Sequence, residues 1–282
     1  MSRSLPLALL ASAFLSGPSI AAAEVAETES TEVESLDGVA KPMGEGVEAV
    51  DTCMRDNLPK KTSKQTIDLT STDRTGGSRT LKAEIHWQQE NSLARTLMEV
   101  EAPPADRGSR YLWLEHENRN DTWVCLPELQ RVRRIHESSG DGALFGSDFS
   151  HEDVQHVKRI SKDGASKRLP DTTLDEREVY IVHADTSGPE GSAYDHIVYS
   201  IDKETCLPLQ IEFFDTPENL LKLLKSDPES FTREGDGWVA RSVTIQNLSG
   251  GTASTLDVEK IEVDTGVPDR MFTLAYLERR CR

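Results

Sequence analysis

Positive charge is in short supply in this sequence: across 282 residues, 32 Lys and Arg stand against 49 Asp and Glu, a net charge of −17. Affinity for nucleic acid rests largely on cations that neutralise backbone phosphates, so no DNA or RNA partner is expected. Long apolar runs are missing as well. A membrane-crossing helix needs about 20 consecutive apolar residues, and the longest candidate, residues 5–15, is shorter and contains Pro6. The motifs of common catalytic centres are absent too: Gly-x-Ser-x-Gly, His-Glu-x-x-His, a phosphate loop and a dinucleotide fingerprint. His151 and His156 would stand about 140° apart on a helix and so cannot share an ion. His183 and His196, on consecutive strands, could face each other across a hairpin without any metal. No metal, no cofactor and no catalytic residue are expected, and the chain is not read as an enzyme.

Cysteine is sparse, and its spacing is informative. Cys53, Cys125, Cys206 and Cys281 include no Cys-x-x-Cys pair, which argues against structural zinc and dithiol redox chemistry. An even count favours disulfides in an oxidising compartment. Of the three possible pairings, the preferred one joins Cys53 to Cys281, near the two ends of the folded body, and Cys125 to Cys206, each of which opens a Cys-Leu-Pro tripeptide. The second bridge would close a loop of about 80 residues, nominally worth about 4 to 5 kcal/mol.

The amino terminus supplies a reason for an oxidising destination. Arg3, the apolar residues 5–15 and Ala21-Ala22-Ala23 match the charged, apolar and small-residue parts of a secretory signal, with cleavage expected after Ala23. No Cys lies there to carry a lipid anchor. Residues 24–51 hold nine acids and one base, Lys41, and residues 24–44 show no apolar periodicity. The expected organisation is a signal peptide over 1–23, an acidic disordered leader over 24–44 and one folded domain over 45–282.

From Lys64 onwards, apolar and polar residues alternate in short segments bounded by turn residues, the pattern of half-buried antiparallel strands. Leu81, Ala83, Ile85 and Trp87 share one face, as do Leu207, Leu209, Ile211 and Phe213; Val243 and Ile245 do so in a strand over 238–248. The phase changes between Leu256/Val258 and Ile261/Val263, which predicts a bulge near Glu259 and Lys260. Turns are expected over 73–77, 118–121, 187–189, 234–237 and 249–251. About ten or eleven strands result, with residues 220–225 among them. Helices are expected over 45–57, 150–157 and 268–279, the second opened by the Ser-x-x-acid start Ser150-His151-Glu152-Asp153. The layout is α+β and mainly β, and so long a sheet must curl to hide its edges.

Two features mark out residues 111–136. Tyr111-Leu112-Trp113-Leu114 and Trp123-Val124-Cys125-Leu126 are apolar on both faces, so one face packs on the core and the other on a helix or a ligand. Arg131, Arg133 and Arg134, with His136 nearby, form a basic cluster in an acidic chain. An Arg turned inward could bind a lipid phosphate or carboxylate; internal salt bridges are the alternative.

The run Trp123-Val124-Cys125-Leu126-Pro127 with Arg131-Val132-Arg133-Arg134-Ile135, followed by Gly146-Ser147-Asp148-Phe149-Ser150-His151-Glu152-Asp153, resembles the outer-membrane lipoprotein-sorting proteins, the periplasmic group similar to the lipoprotein carrier LolA. Asp202 to Leu209, Gly237-Trp238-Val239 and the ending Phe272 to Arg279 extend the resemblance over about residues 53–280. The sequence departs from the pattern at Cys125, Cys206 and His151. The resemblance implies an unclosed antiparallel β-barrel with helices over its open side, and an apolar cavity for acyl chains. Trp87, Trp113, Trp123, Arg133, Arg134, Phe145, Phe149 and Phe213 are the candidate cavity or lid residues. It further implies a periplasmic, monomeric carrier of a lipid or lipoprotein with an inner-membrane transporter as partner. A lipid or lipoprotein sensor, or an accessory module that regulates an RND-type exporter, is the alternative. Mass spectrometry of the exported protein should find Glu24 as its first residue; an intact residue 1–23 segment would remove the signal assignment.

Overall fold

The computed structural model describes residues 46–90, 93–116, 120–135, 143–160, 165–186 and 192–281. The signal and leader, His136, the turn expected over 187–189 and the first two residues of the turn expected over 118–121 lie outside them. Helix α1 (Val47–Asp56) leads into six strands: β1 (Thr62–Thr72), β2 (Ser78–Glu90), β3 (Leu93–Ala102), β4 (Arg110–Glu115), β5 (Asn120–Leu126) and β6 (Arg131–Ile135). Helix α2 (His151–Lys158) follows. Then come β7 (Ser166–Leu174), β8 (Arg177–Asp185), β9 (His196–Asp202), β10 (Pro208–Thr216), β11 (Asn219–Ser226), β12 (Phe231–Glu234), β13 (Gly237–Ala240), β14 (Ser242–Asn247) and β15 (Thr252–Val263), before α3 (Leu274–Arg280). Among the described residues no helix is long and apolar enough to cross a membrane.

Thirteen strands form one antiparallel sheet in the order β6-β5-β4-β3-β2-β1-β15-β14-β11-β10-β9-β8-β7, and β12 pairs with β13 in a separate ribbon. The edges β6 and β7 do not pair, so the sheet is not closed into a barrel. Both edges carry features that discourage pairing with another chain: three arginines in β6, and Pro170 beside a register shift in β7. The expected ten or eleven strands are too few. One reason is that the strand expected over 238–248 breaks at Arg241, whose N–H turns to the Ser230 carbonyl while its side chain bonds Thr232 and the carbonyls of Val258 and Glu259. The expected bulge is present: Thr66 faces Lys260 and Ile67 faces Val258, leaving Glu259 as the extra residue. Residues 219–226 are a strand, as their place among hairpins predicts.

Cross-strand register makes one face of the sheet a continuous apolar surface. Ile67 lies opposite both Ala83 and Val258, Ile85 opposite Met98, Leu224 opposite Ile245 and Ile211, and Tyr199 opposite Ile211 and Val182. α1 packs on this side through Val50 and Met54. On the opposite face a second, smaller core joins Leu97, Leu112 and Cys125 to Phe272, Leu277 and Cys281, so α3 explains one of the two apolar faces of β4 and β5. The helix expected over 268–279 is divided. A 3₁₀ turn, Asp269–Phe272, precedes Thr273, whose hydroxyl caps α3 by accepting the Tyr276 N–H.

The preferred disulfide pairing is overturned. Cys53 bonds Cys206, and Cys125 bonds Cys281. The reason is which face each helix occupies: α1 sits against the turn that precedes β10, whereas α3 lies across β5 on the other face. Asn57 reinforces the first junction, its side chain donating to the Thr205 carbonyl at 2.8 Å and accepting the Trp238 N–H at 2.8 Å. The approach is so close that a Cβ on Gly237 would lie 2.6 Å from the Asn57 carbonyl oxygen. The bridges span 153 and 156 residues, each nominally worth about 5 kcal/mol in the chain-entropy model. Peptide mapping without reduction should recover the 53–206 and 125–281 links; a 53–281 link would contradict this arrangement.

Candidate functional site

α2 is placed by its first turn. The Ser150 hydroxyl accepts the Asp153 N–H at 3.1 Å and the Asp153 carboxylate accepts the Ser150 N–H at 2.7 Å, a reciprocal cap. Asp153 is fully buried and also receives the Lys222 ammonium from β11 at 2.8 Å and the Tyr194 hydroxyl. Lys222 completes its shell on the Asp148 carbonyl at 3.0 Å. Burial and the adjoining Asp153 charge push the Tyr194 hydroxyl far above the ordinary phenol range, so it remains a donor. Asp148 in turn accepts hydroxyls from Thr252 and Ser254 of β15. Glu152 accepts Ser192 Oγ at 2.6 Å and the Ala193 N–H at 3.0 Å. Burial raises its pKa, but hydrogen bonds from His156, Ser192 and Ala193 outweigh burial and hold the carboxyl below its usual range. At the other end the Ile160 N–H reaches Asp51 of α1 at 2.9 Å.

Held there, α2 roofs a cavity of about 380 Å³, within the range of small-molecule sites. Its floor is the apolar face of the sheet: Ile67, Leu69, Ile85, Trp87, Met98, Tyr111 and Trp113, with Val243, Leu256 and Val258. Val154, Val157 and Lys158 of α2 and Phe145 and Phe149 of the segment before it cover the floor. Phe145 meets Tyr111 edge to face at 4.4 Å between ring centres, and His151 meets Trp113 at 4.3 Å.

Of the eight residues expected at a cavity or lid, the structure brings Trp87, Trp113, Phe145 and Phe149 together around this space. The other four lie elsewhere. Trp123 points to the opposite face, into the core under α3, with the Arg134 guanidinium 5.8 Å from its ring centre. Arg134 pairs with Asp121, the internal salt bridge, and Arg133 is exposed. Phe213 is wholly buried in the main core against Tyr194. Alternation puts neighbouring strand residues on opposite faces, but which face bounds a cavity depends on α2 and α3. Sequence reasoning missed Tyr111, Lys158 and the Asp153–Lys222 pair. A lysine sharing one strand face with Leu220 and Leu224 was the available signal for the pair.

Two other clusters are balanced internally. His183 and His196 stack at 4.8 Å with Phe214 on the far side of His196, and burial together with His196 lowers the His183 pKa. Glu84, His86 and Glu99 present ligand atoms within 4.8 Å of one another, but Lys64 and Arg110 already pair with the two carboxylates.

A family model with the description "Uncharacterized protein" matches residues 92–279, two thirds of the chain. The chain belongs to that family. Among solved structures it is similar to a Vibrio parahaemolyticus protein described as an outer membrane lipoprotein-sorting protein domain (22% identity, TM-score 0.74, covering 83% of this chain and 99% of that one). It is also similar to a DUF1329 family protein from Desulfovibrio piger (20%, 0.74, 84% and 100%) and to a LolA superfamily protein from Nitrosomonas europaea (15%, 0.65, 83% and 100%). The fold is therefore the one that these three structures share. No curated protein matches the sequence.

In this LolA-like fold the anchor of α2 is open to test. Asp153→Asn keeps the shape but leaves Lys222 buried without a counter-charge, and should lower stability by about 3 to 5 kcal/mol. Joint replacement, Asp153→Leu with Lys222→Met, should lose less. Urea unfolding measures both; a midpoint unmoved by Asp153→Asn would show that the pair does not hold the fold.

Proposed function

We propose that this chain is an exported, non-catalytic carrier that shields the acyl chains of a lipid or lipoprotein in the cavity beneath α2 and passes them to a membrane partner on the way to the outer membrane. The observation that carries this reading is the cavity itself, a space walled by aliphatic and aromatic side chains between a sheet face and a capped helix. A carrier needs apolar area rather than reactivity. Each buried methylene contributes about 0.8 kcal/mol, so ten contribute at most about 8 kcal/mol before the ordering of the ligand is subtracted. The likeness to a lipoprotein-sorting domain supports the same cargo class.

Export agrees with two disulfides, which persist in oxidising compartments. The destination in this reading is the periplasm, reached after cleavage behind Ala23, with residues 24–44 as an acidic leader to the binding domain. The carrier works as a monomer beside an inner-membrane transporter.

The mature protein, purified gently, should carry lipid in native mass spectrometry and should take up the uncharged dye Nile red. Trp113→Glu and Val154→Asp each place a charge against the cavity, and each should weaken dye uptake at least about tenfold while circular dichroism stays unchanged, the burden of one unpaired charge. A protein that never carries lipid and does not bind the dye would refute the carrier reading.

A further inference from the structure

The cavity has a polarity of its own. None of the 28 described residues that line it is Asp or Glu, in a chain that has 49 of them. Lys158, the last residue of α2, is the only Lys or Arg among them. Its ammonium has no carboxylate or carbonyl partner among the described residues and lies over the ring of Trp113 at 6.0 Å from the centre. The Glu115 carboxylate, which attracts it from a distance, accepts the Ala94 N–H at 2.9 Å. Burial therefore pulls the Lys158 pKa down, with Glu115 only partly opposing it.

Two further donors line the same space. Trp87 and Trp113 are 7% and 8% exposed, and their indole nitrogens are buried with no acceptor among the described residues. They stand on β2 and β4 on either side of Thr96 of β3. A buried donor left unpaired is unfavourable by about 1 to 3 kcal/mol. All three groups lack the same thing, an acceptor, and an ammonium lacks in addition a negative charge.

We infer that the cavity is built for an acidic amphiphile, whose carboxylate or phosphate head is held by Lys158 with indole N–H groups of Trp87 and Trp113 and whose chain lies on the apolar floor. The inference rests on the carrier reading and narrows its cargo. A triacylated lipoprotein terminus, joined through ester, amide and thioether links, brings no such charge, whereas a free fatty acid or a lipid phosphate does. The aromatic face under Lys158 keeps the ammonium placed.

The test is displacement of Nile red from the mature protein by palmitic acid, methyl palmitate and a palmitoyl lysophosphatidic acid, all below their micelle concentrations at pH 8. The acids should displace the dye at least about tenfold more tightly than the ester, the factor expected for one charge-assisted hydrogen bond. Lys158→Met should bring acid and ester to within about twofold while ester affinity is kept, Lys158→Arg should restore the preference, and Trp113→Phe should reduce it in part. Whichever acid loses more on Lys158→Met identifies the head group. Equal affinity for acid and ester in the unaltered protein, or a preference that survives Lys158→Met, would overturn the inference and leave the carrier reading standing. Dye that no lipid displaces would overturn both. Retained ester affinity in the variants shows that the cavity is intact.

Discussion

A buried carboxylate that must find partners organises the centre of this molecule. Asp153 has no access to water, and its charge is tolerable only because it accepts from Lys222, Tyr194 and the Ser150 N–H together. These partners come from β11, from the segment before β9 and from the start of α2 itself. Their convergence fixes where the helix begins and which way it faces. Removing one member of such a set leaves an uncompensated buried charge, whereas removing the set leaves only a packing problem. The cavity depends on this arrangement, because α2 is its roof and Asp153 and Asp148 tie that roof to β11 and β15.

The two faces of the sheet are used differently. One face carries the main core, α1 and the cavity; the other is sealed over β3, β4 and β5 by α3 and the Cys125–Cys281 bridge. Sealing one face allows strands β4 and β5 to be apolar on both sides without exposing a patch to water. The Cys53–Cys206 bridge and Asn57 do the corresponding work on the cavity side, joining α1 to the turn before β10 and to the β12–β13 ribbon.

Much of this was legible in the residues. Alternation revealed the strands and their faces, the phase change at Glu259 revealed the bulge, and Ser150 with Asp153 revealed the start of α2. These are local consequences of a period of two or of a capping turn, which a few neighbouring residues suffice to impose. Motif likeness added the superfamily fold. The disulfide pairing was not legible, because chain distance says nothing about which face of a sheet a helix will cover. The choice between the two readings of the arginine cluster was not legible for a related reason: alternation states that Arg133 and Arg134 diverge, and only the position of α3 and Asp121 decides which direction is solvent and which is core.

The sparse cations with which the sequence begins acquire a sharper meaning in three dimensions. By itself the sequence determined the acidic net charge, the strand pattern, the helix starts and the absence of common catalytic motifs, since each is a property of composition or of short spacing. Only the tertiary structure decided where individual charges sit. It set Lys222 against Asp153 to hold the roof, and it left Lys158 beside Trp113 in a cavity whose described lining holds no carboxylate. The physical reason is that an ion's partner is chosen by distance in space, and residues 69 positions apart, such as Asp153 and Lys222, become neighbours only when the sheet and helix have packed.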